Sequence, residues 1–131
     1  MSGYVLDASV AVTALTAPGT PAADLLSGDD AVFQVPSIFD AEVLSALRGL
    51  VRGRKFDDAA ATELVVDLMV LPVDRWHMSP LLPRMWELRE NLTPYDAAYV
   101  ALAELTGAVL VTGDERMTAS PGTRCDIQVI K

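Results

Sequence analysis

Residues Tyr4-Val5-Leu6-Asp7-Ala8-Ser9 give the strongest indication of how this chain folds. The first three are strand formers with no polar side chain among them, which is typical of a buried strand in a parallel sheet. Asp7 ends this strand, and Ser9 is a candidate N-cap for a short helix over residues 10–15. Open parallel sheets bind ligands beyond the carboxyl ends of their strands, so Asp7 is placed to point into such a crevice. Taken alone, Asp7 is better explained as a residue that begins a helix.

Strand and helix patterns alternate along the rest of the chain. Ser37 is a predicted N-cap for the third helix, because the acidic residue Asp40 follows it three positions later. An apolar stripe continues this helix to about Val51. Further strands are predicted over residues 31–35, 71–74, 108–112 and 127–130, and further helices over 22–26, 57–70, 80–90 and 94–105. This alternation predicts an α/β fold with a mostly parallel central sheet of four to five strands flanked by helices.

Length and composition restrict the class of protein. The chain has 131 residues, of which 51% are hydrophobic and 21% charged, so residues 1–131 are expected to form one folded domain. No apolar run approaches the roughly 20 residues of a membrane helix, and no export signal is expected at the N-terminus. Cys125 is the single cysteine, which excludes an internal disulfide and favours a reducing, cytoplasmic location.

The net charge of −8 restricts the partners of the chain. A protein that held nucleic acid through phosphate contacts alone would be basic. Either the ligand is therefore not a polyanion, or cations mediate the contact. An acidic chain also suits a basic protein partner, through long-range attraction.

Four carboxylates occupy comparable places in the predicted fold. Asp7 and Asp114 each follow a buried strand, while Glu42 and Asp96 lie in the first turns of helices. Both kinds of position lie at the carboxyl-end side of the sheet, so all four side chains are predicted to converge there. Like charges crowded together are costly unless a cation is present. A donor set of oxygens without histidine or cysteine selects Mg²⁺ or Mn²⁺, which suit phosphate chemistry.

One short stretch concentrates basic residues at the end of the third helix. It contains four of the ten basic residues of the chain, Arg48, Arg52, Arg54 and Lys55. These side chains are either a solvated face favoured by the helix dipole or a rim that contacts phosphates.

At this point the motifs resemble those of a known family. The set D-A-S at residues 7–9, Glu42, T-P-Y-D-A-A-Y at residues 93–99 and V-T-G-D at residues 111–114 is similar to the PIN domain. More narrowly, it resembles the VapC-type toxin ribonucleases of bacterial toxin–antitoxin pairs, and the resemblance spans essentially the whole chain. The family often has asparagine one turn after the glutamate, where this chain has Ser45.

The resemblance implies an activity and a set of site residues. The implied protein is a Mg²⁺- or Mn²⁺-dependent endoribonuclease that acts on structured RNA, is commonly a homodimer and is inhibited by a cognate antitoxin. The implied site has four metal-binding acids and two supporting hydroxyls. The acids are Asp7, Glu42, Asp96 and Asp114, and the hydroxyls are those of Ser9 and Thr112.

Two other classes of protein are alternatives to this one. A phosphatase of the haloacid dehalogenase type also carries an aspartate after its first strand, but it requires a second aspartate two residues later. This chain has Ser9 at that position, which argues against the phosphatase. A catalytically silent PIN-like protein-interaction module is the other alternative. An inactive module would be free to lose an acid, and because all four positions are filled, the enzyme is favoured.

Overall fold

The computed structural model describes residues 2–131, and for Ser2 the backbone alone. Five strands form one sheet in the order β3-β2-β1-β4-β5, and every neighbouring pair is parallel. The strands are β1 (Ser2–Leu6), β2 (Ala31–Pro36), β3 (Val73–Trp76), β4 (Val109–Thr112) and β5 (Ile127–Val129). The predicted α/β class and parallel sheet are therefore confirmed, with the larger of the two expected strand numbers.

The helices connect these strands in the order that the sequence pattern predicts. They are α1 (Ala8–Thr16), α2 (Pro21–Ser27), α3 (Phe39–Arg52), α4 (Asp58–Met69), α5 (Leu82–Glu87) and α6 (Pro94–Thr106). Short 3-10 turns cover Ser79–Leu81 and Glu115–Ala119. The helix predicted over residues 80–90 is thus shorter than expected and begins with a 3-10 turn.

The core lies on both sides of the central strand. Val5 and Leu6 of β1 have no exposed surface, because β2 and β4 flank the strand and helices cover it. Helix α6 is buried continuously from Ala97 to Ala103, and its small alanines let the helix approach the sheet closely. Gly107 ends the helix in a left-handed conformation with φ of 72°, which glycine adopts without steric cost. This rigid packing fixes the direction in which the first turn of α6 points.

The order of the strands creates a crevice beside β1. The chain runs from β1 to β2 to β3 on one side, and then α5 and α6 carry it back to β4 on the other side of β1. The carboxyl ends of β1 and β4 therefore meet at the topological switch point of the sheet, where open α/β folds bind their ligands. Asp7 follows β1 directly, and Asp114 lies two residues beyond β4.

Two predicted N-caps are wrong. Helix α1 begins at Ala8, so Asp7 takes the N-cap position without a side-chain cap bond and Ser9 lies inside the helix. Helix α3 begins at Phe39 after Ile38, because the backbone N–H of Ser37 still donates to the carbonyl of Trp76 at 2.8 Å. At Ser9 the hydroxyl that would cap the helix instead contacts Asp7 and the N–H of Gly113.

The end of α3 holds one backbone conformation that is unusual for its side chain. Arg54 has φ of 57°, in the left-handed region that favours glycine. The N–H of Arg54 donates to Val51 at 3.1 Å and that of Lys55 to Leu50 at 2.8 Å, the pattern of a Schellman cap. The sequence therefore keeps an arginine where the backbone would prefer glycine.

No helix within residues 2–131 is both long enough and apolar enough to cross a membrane.

Candidate metal centre

Two hydroxyl groups hold the carboxylate of Asp7 at the end of β1. Ser9 donates to Oδ2 of Asp7 at 2.9 Å, and Thr112 at the end of β4 donates to the same oxygen at 2.6 Å. Thr112 is fully buried, and Ser9 also accepts the N–H of Gly113 at 3.1 Å. The carboxylate is therefore oriented by the first turn of α1 and by the end of β4.

Asp114 lies directly beside this pair. Its backbone N–H donates to the hydroxyl of Thr112 at 3.1 Å, so one threonine connects both aspartates. The guanidinium of Arg116 binds both carboxylate oxygens of Asp114, with Nε 3.0 Å from Oδ1 and Nη2 2.9 Å from Oδ2. These contacts hold the pKa of Asp114 below its ordinary value, chiefly through the hydrogen bonds from Arg116.

Glu42 comes from the first turn of α3 and is held by a buried tyrosine. The hydroxyl of Tyr99 donates to Oε1 of Glu42 at 2.6 Å, and Tyr99 itself is 1% exposed. Burial, followed by this hydrogen bond, raises the pKa of Tyr99 far above its ordinary value, so the hydroxyl remains a donor. Because Tyr99 lies in α6, it ties the α3 acid to the helix that carries Asp96.

Asp96 occupies the third position of α6, where Thr93 caps the helix. The hydroxyl of Thr93 accepts the N–H of Asp96 at 3.2 Å, and Pro94 follows at the first helical position. Asp96 and Asp114 line one polar cleft of about 280 Å³, together with Asn91, Thr93, Arg116 and Ser120. The first turn of α6 and the loop after β4 are thereby brought to the same opening.

The electrostatics connect all four acids. Burial raises the pKa of Glu42 most, the hydrogen bond from Tyr99 opposes this, and the charges of Asp7 and Asp96 raise the pKa further. Burial also raises the pKa of Asp96 most, and the charges of Asp7 and Asp114 add to it. The charge of Asp7 therefore acts on both Glu42 and Asp96, and the charge of Asp114 acts on Asp96.

Comparison with known proteins identifies the family of this fold and site. A sequence model of the PIN domain matches residues 4–121. The chain belongs to the PIN-domain family. The resemblance seen in the motifs is thereby confirmed.

Two relatives of this PIN domain carry the name of one ribonuclease group. Ribonuclease VapC12 of Mycobacterium tuberculosis is 40% identical over 128 residues, which cover 96% of this chain and 98% of that protein. Ribonuclease VapC1 of the same organism is 37% identical over 134 residues and covers 100% of both chains. Among solved structures, VapBC2 from Rickettsia felis bound to a DNA fragment from their promoter has a TM-score of 0.72 at 15% identity. That match covers 98% of this chain and 99% of the other, and it shows likeness of fold.

The donor set of this PIN domain suits a hard divalent ion, although the side chains are not yet arranged around one. All four groups are carboxylates, and histidine and cysteine are absent from the cluster, which favours Mg²⁺ or Mn²⁺. Within residues 2–131 the side chains as they stand form no ready group of three or more metal ligands. Two of the acids are turned toward protein partners instead, Asp114 toward Arg116 and Glu42 toward Tyr99.

The predicted basic residues lie elsewhere on the PIN domain. Arg48 and Arg52 line an apolar groove between α3 and α4, and they are not among the residues of the polar cleft that contains Asp96. Glu42 and Arg52 are ten residues apart on α3, about 15 Å along the helix axis. Arg54 and Lys55 are exposed just beyond the end of this helix.

Sequence reasoning missed two residues of the site. Tyr99 was part of a quoted motif but received no role, although it lies three residues after Asp96 on the same helix and therefore on nearly the same face. Arg116 is outside the motifs that the sequence analysis uses. Its position two residues beyond an acid was a usable signal, since a turn can fold such an arginine back onto the carboxylate.

Proposed function

We propose that this chain is a metal-dependent endoribonuclease toxin that hydrolyses phosphodiester bonds in structured RNA. In this proposal Asp7, Glu42, Asp96 and Asp114 bind Mg²⁺ or Mn²⁺, and Ser9 and Thr112 support them. The names of the two mycobacterial relatives support ribonuclease activity. Their identity to this chain extends over nearly its full length, so the proposal concerns the whole of residues 1–131 as one nuclease domain.

The crowding of like charges at the switch point is the observation that carries this proposal. Burial and neighbouring carboxylates raise the pKa values of Glu42 and Asp96, so the cluster is costly to charge without a cation. Among residues 2–131, Arg116 is the basic residue whose charge lowers the pKa values of both Asp96 and Asp114. One guanidinium leaves the cluster well short of neutrality, and a divalent ion would supply the missing positive charge.

Each residue of the proposed site has its own role in binding the ion or the RNA. A bound divalent ion would activate water and neutralise charge on the phosphodiester. Thr112 and Ser9 hold Asp7 through Oδ2, which leaves Oδ1 as the oxygen placed toward a ligand. Tyr99 fixes Glu42 against α6 and keeps its second oxygen, Oε2, free of that contact. The cleft beside Asp96 and Asp114 would then receive the RNA next to the scissile phosphate.

Partners and location follow from the same proposal. A cognate antitoxin neutralises the enzyme, and the acidic charge of −8 suits a basic segment of such a partner. The protein acts in the cytoplasm as a homodimer. Large exposed apolar side chains on α5 and α6 support self-association, and they include Leu82, Trp86, Tyr95 and Leu105. The basic residues Arg48, Arg52, Arg54 and Lys55 would bind outlying phosphates of the RNA.

An RNA cleavage assay with the purified protein, freed of any bound partner, tests the function. Cleavage is expected with Mg²⁺ or Mn²⁺ and none with a chelator, because the ion activates the water. Total cellular RNA is a suitable substrate, since it contains the structured RNAs of the cell. Cleavage that persists in chelator would contradict the proposed chemistry. Ion binding without cleavage would favour the silent interaction module.

A further inference from the structure

Arg116 occupies both oxygens of one proposed metal ligand. The guanidinium is bidentate on Asp114, with Nε to Oδ1 at 3.0 Å and Nη2 to Oδ2 at 2.9 Å. The Arg116 side chain is 90% exposed, whereas Asp114 is 30% exposed. The arginine therefore covers the carboxylate from the solvent side.

Asp114 does not need the guanidinium to keep its place. Its own N–H donates to the Thr112 hydroxyl at 3.1 Å. The backbone N–H of Arg116 donates to Oδ1 of Asp114 at 2.9 Å, and this bond survives any substitution of the Arg116 side chain except proline. Backbone contacts already orient the carboxylate, so the guanidinium adds charge neutralisation more than positioning.

The contact is also easy to break. An exposed ion pair contributes little net free energy, because water solvates both partners when they separate. A divalent ion carries twice the charge of the guanidinium and would be attracted by several acids of the cluster at once. Oδ1 of Asp114 already accepts two N–H bonds from Arg116, one from the backbone and one from Nε. An ion that binds Oδ1 displaces Nε and also repels the guanidinium, so the two cations compete for one carboxylate.

The surroundings offer the released arginine another partner. Arg116 lines the polar cleft that also contains Asp96, Asp114 and Ser120. Its charge also acts on Asp96, so the guanidinium lies within electrostatic reach of both acids of the cleft. Phosphate accepts the same paired N–H bonds from a guanidinium as a carboxylate does, so an RNA phosphate in the cleft can replace Asp114.

We propose that Arg116 is a displaceable counter-ion: it covers Asp114 in the metal-free protein, gives way to the divalent ion and then binds an RNA phosphate in the cleft. This inference rests on the proposed metal-dependent cleavage of RNA. It adds a residue that the four acids and two hydroxyls do not include.

Calorimetric titration with Mn²⁺ distinguishes a counter-ion from a structural support. Arg116→Ala is expected to bind Mn²⁺ about fivefold more tightly than wild type, because the competing cation is gone. Arg116→Lys is expected to lie between them, since an ammonium is a point charge that cannot pair with both oxygens as a fork does. Arg124→Ala is the matched control: it changes the net charge equally, but Arg124 lies beside Glu104 at the other end of α6. Its affinity for Mn²⁺ should equal that of wild type.

The outcomes separate the failure of this inference from the failure of the proposed function. Suppose that wild type binds Mn²⁺ and Asp96→Asn does not. If Arg116→Ala then binds Mn²⁺ no more tightly than wild type, Arg116 is not a counter-ion that competes with the metal. If wild type and Asp96→Asn bind Mn²⁺ equally poorly, the proposed metal site is wrong. The proposed role of Arg116 is then wrong as well.

RNA kinetics at saturating Mn²⁺ test the second half of the inference. Arg116→Ala should raise the KM for RNA several-fold and reduce the salt dependence of log KM by about one unit of slope, since one phosphate contact is lost. Arg116→Lys should recover much of that slope, because a lysine still neutralises a phosphate. An unchanged KM and slope in Arg116→Ala would show that the released arginine does not bind RNA.

Discussion

The acidic residues near the two ends of helix α6 have opposite electrostatic surroundings. Glu104 near the C-terminal end accepts two bonds from Arg84, at 2.6 and 3.2 Å, and one from the N–H of Arg124 at 2.8 Å. Asp96 near the N-terminal end accepts no such arginine fork, and the charges of Asp7 and Asp114 act on it instead. The two acids are eight residues apart, about 12 Å along one helix.

This difference separates a carboxylate that holds the fold from one held ready for a ligand. The side chains of Arg84 and Glu104 are only 20% and 12% exposed, and Arg84 also donates to the carbonyl of Gly122 at 2.6 Å. Such a pair fastens α5, α6 and the loop before β5 together. At the other end, neutralisation of Asp96 by a similar arginine would remove the attraction for a cation. In the proposed metal site, the repulsion at Asp96 is the cost of a charge that can bind an ion.

Substitution of an acid at the functional end should have the largest effect. Asp7→Asn is expected to reduce RNA cleavage by about a thousandfold, or about 4 kcal/mol of barrier, since the amide keeps the size of the side chain but loses the charge that binds the ion. Single-turnover cleavage rates with saturating Mn²⁺ would measure this loss.

Glu104→Gln is the matched control for that experiment. It also removes one carboxylate charge, yet the cleavage rate of the folded protein should stay within about threefold of wild type. Full activity in Asp7→Asn would indicate a contaminating nuclease, and equal losses in both variants would abolish the distinction between the two ends of α6.

The same pair of ends predicts opposite effects on stability. Glu104→Gln should lower the free energy of unfolding by about 2 kcal/mol, because it weakens charge-assisted bonds to a largely buried arginine. Asp96→Asn in chelator should leave stability unchanged or raise it, because it removes a repelled charge. Urea unfolding of both variants without divalent ions would show the contrast. A loss of stability in Asp96→Asn as large as that in Glu104→Gln would mean that Asp96 is structural.

The sequence predicts the fold more completely than it predicts these charge pairings. Buried strands and apolar helical stripes are local patterns, so β1, α6 and the parallel sheet follow from them, and the switch point follows from the sheet. The pairing of Arg84 with Glu104 joins residues twenty positions apart, and Tyr99 reaches Glu42 across fifty-seven. No local rule contains such contacts. The capping rule failed at Ser9 for the same reason, because its hydroxyl contacts the N–H of Gly113, 104 positions away.

The dependence of stability on pH should sharpen the contrast further. The pKa of Asp96 is raised in the folded protein, so folding favours its protonated form. Below the unfolded value, about 3.9, wild type and Asp96→Asn should differ least. As pH rises through the folded pKa, wild type must charge Asp96 against its neighbours, and its stability relative to the variant should fall.

Thermal unfolding in chelator, from a pH just below the unfolded pKa of about 3.9 up to about pH 8, would measure this difference. Saturating Mg²⁺ should reverse its sign above the folded pKa, because ion binding stabilises wild type by mass action and the variant much less. An equal Mg²⁺-induced shift in both proteins would exclude Asp96 as a ligand.

The basic end of α3 should give the smallest effect, because its charges are neither paired within the core nor close to the acids. Arg52 lines the groove between α3 and α4, about 15 Å along the helix from Glu42. Arg52→Ala should therefore raise the KM for RNA about twofold to threefold and lower the slope of log KM against log salt by about one unit, as for any single phosphate contact. The rate at saturating RNA should be unchanged, because a phosphate contact this far from the acids positions the substrate without acting on the reacting bond.

Arg124→Ala controls for the change in net charge and should alter neither quantity. If Arg52→Ala lowers the rate at saturating RNA as much as Asp7→Asn does, the basic end of α3 contributes to the chemical step as well as to RNA binding. If it changes nothing, the basic end is only a solvated face, and Arg116 is left as the cation that contacts RNA.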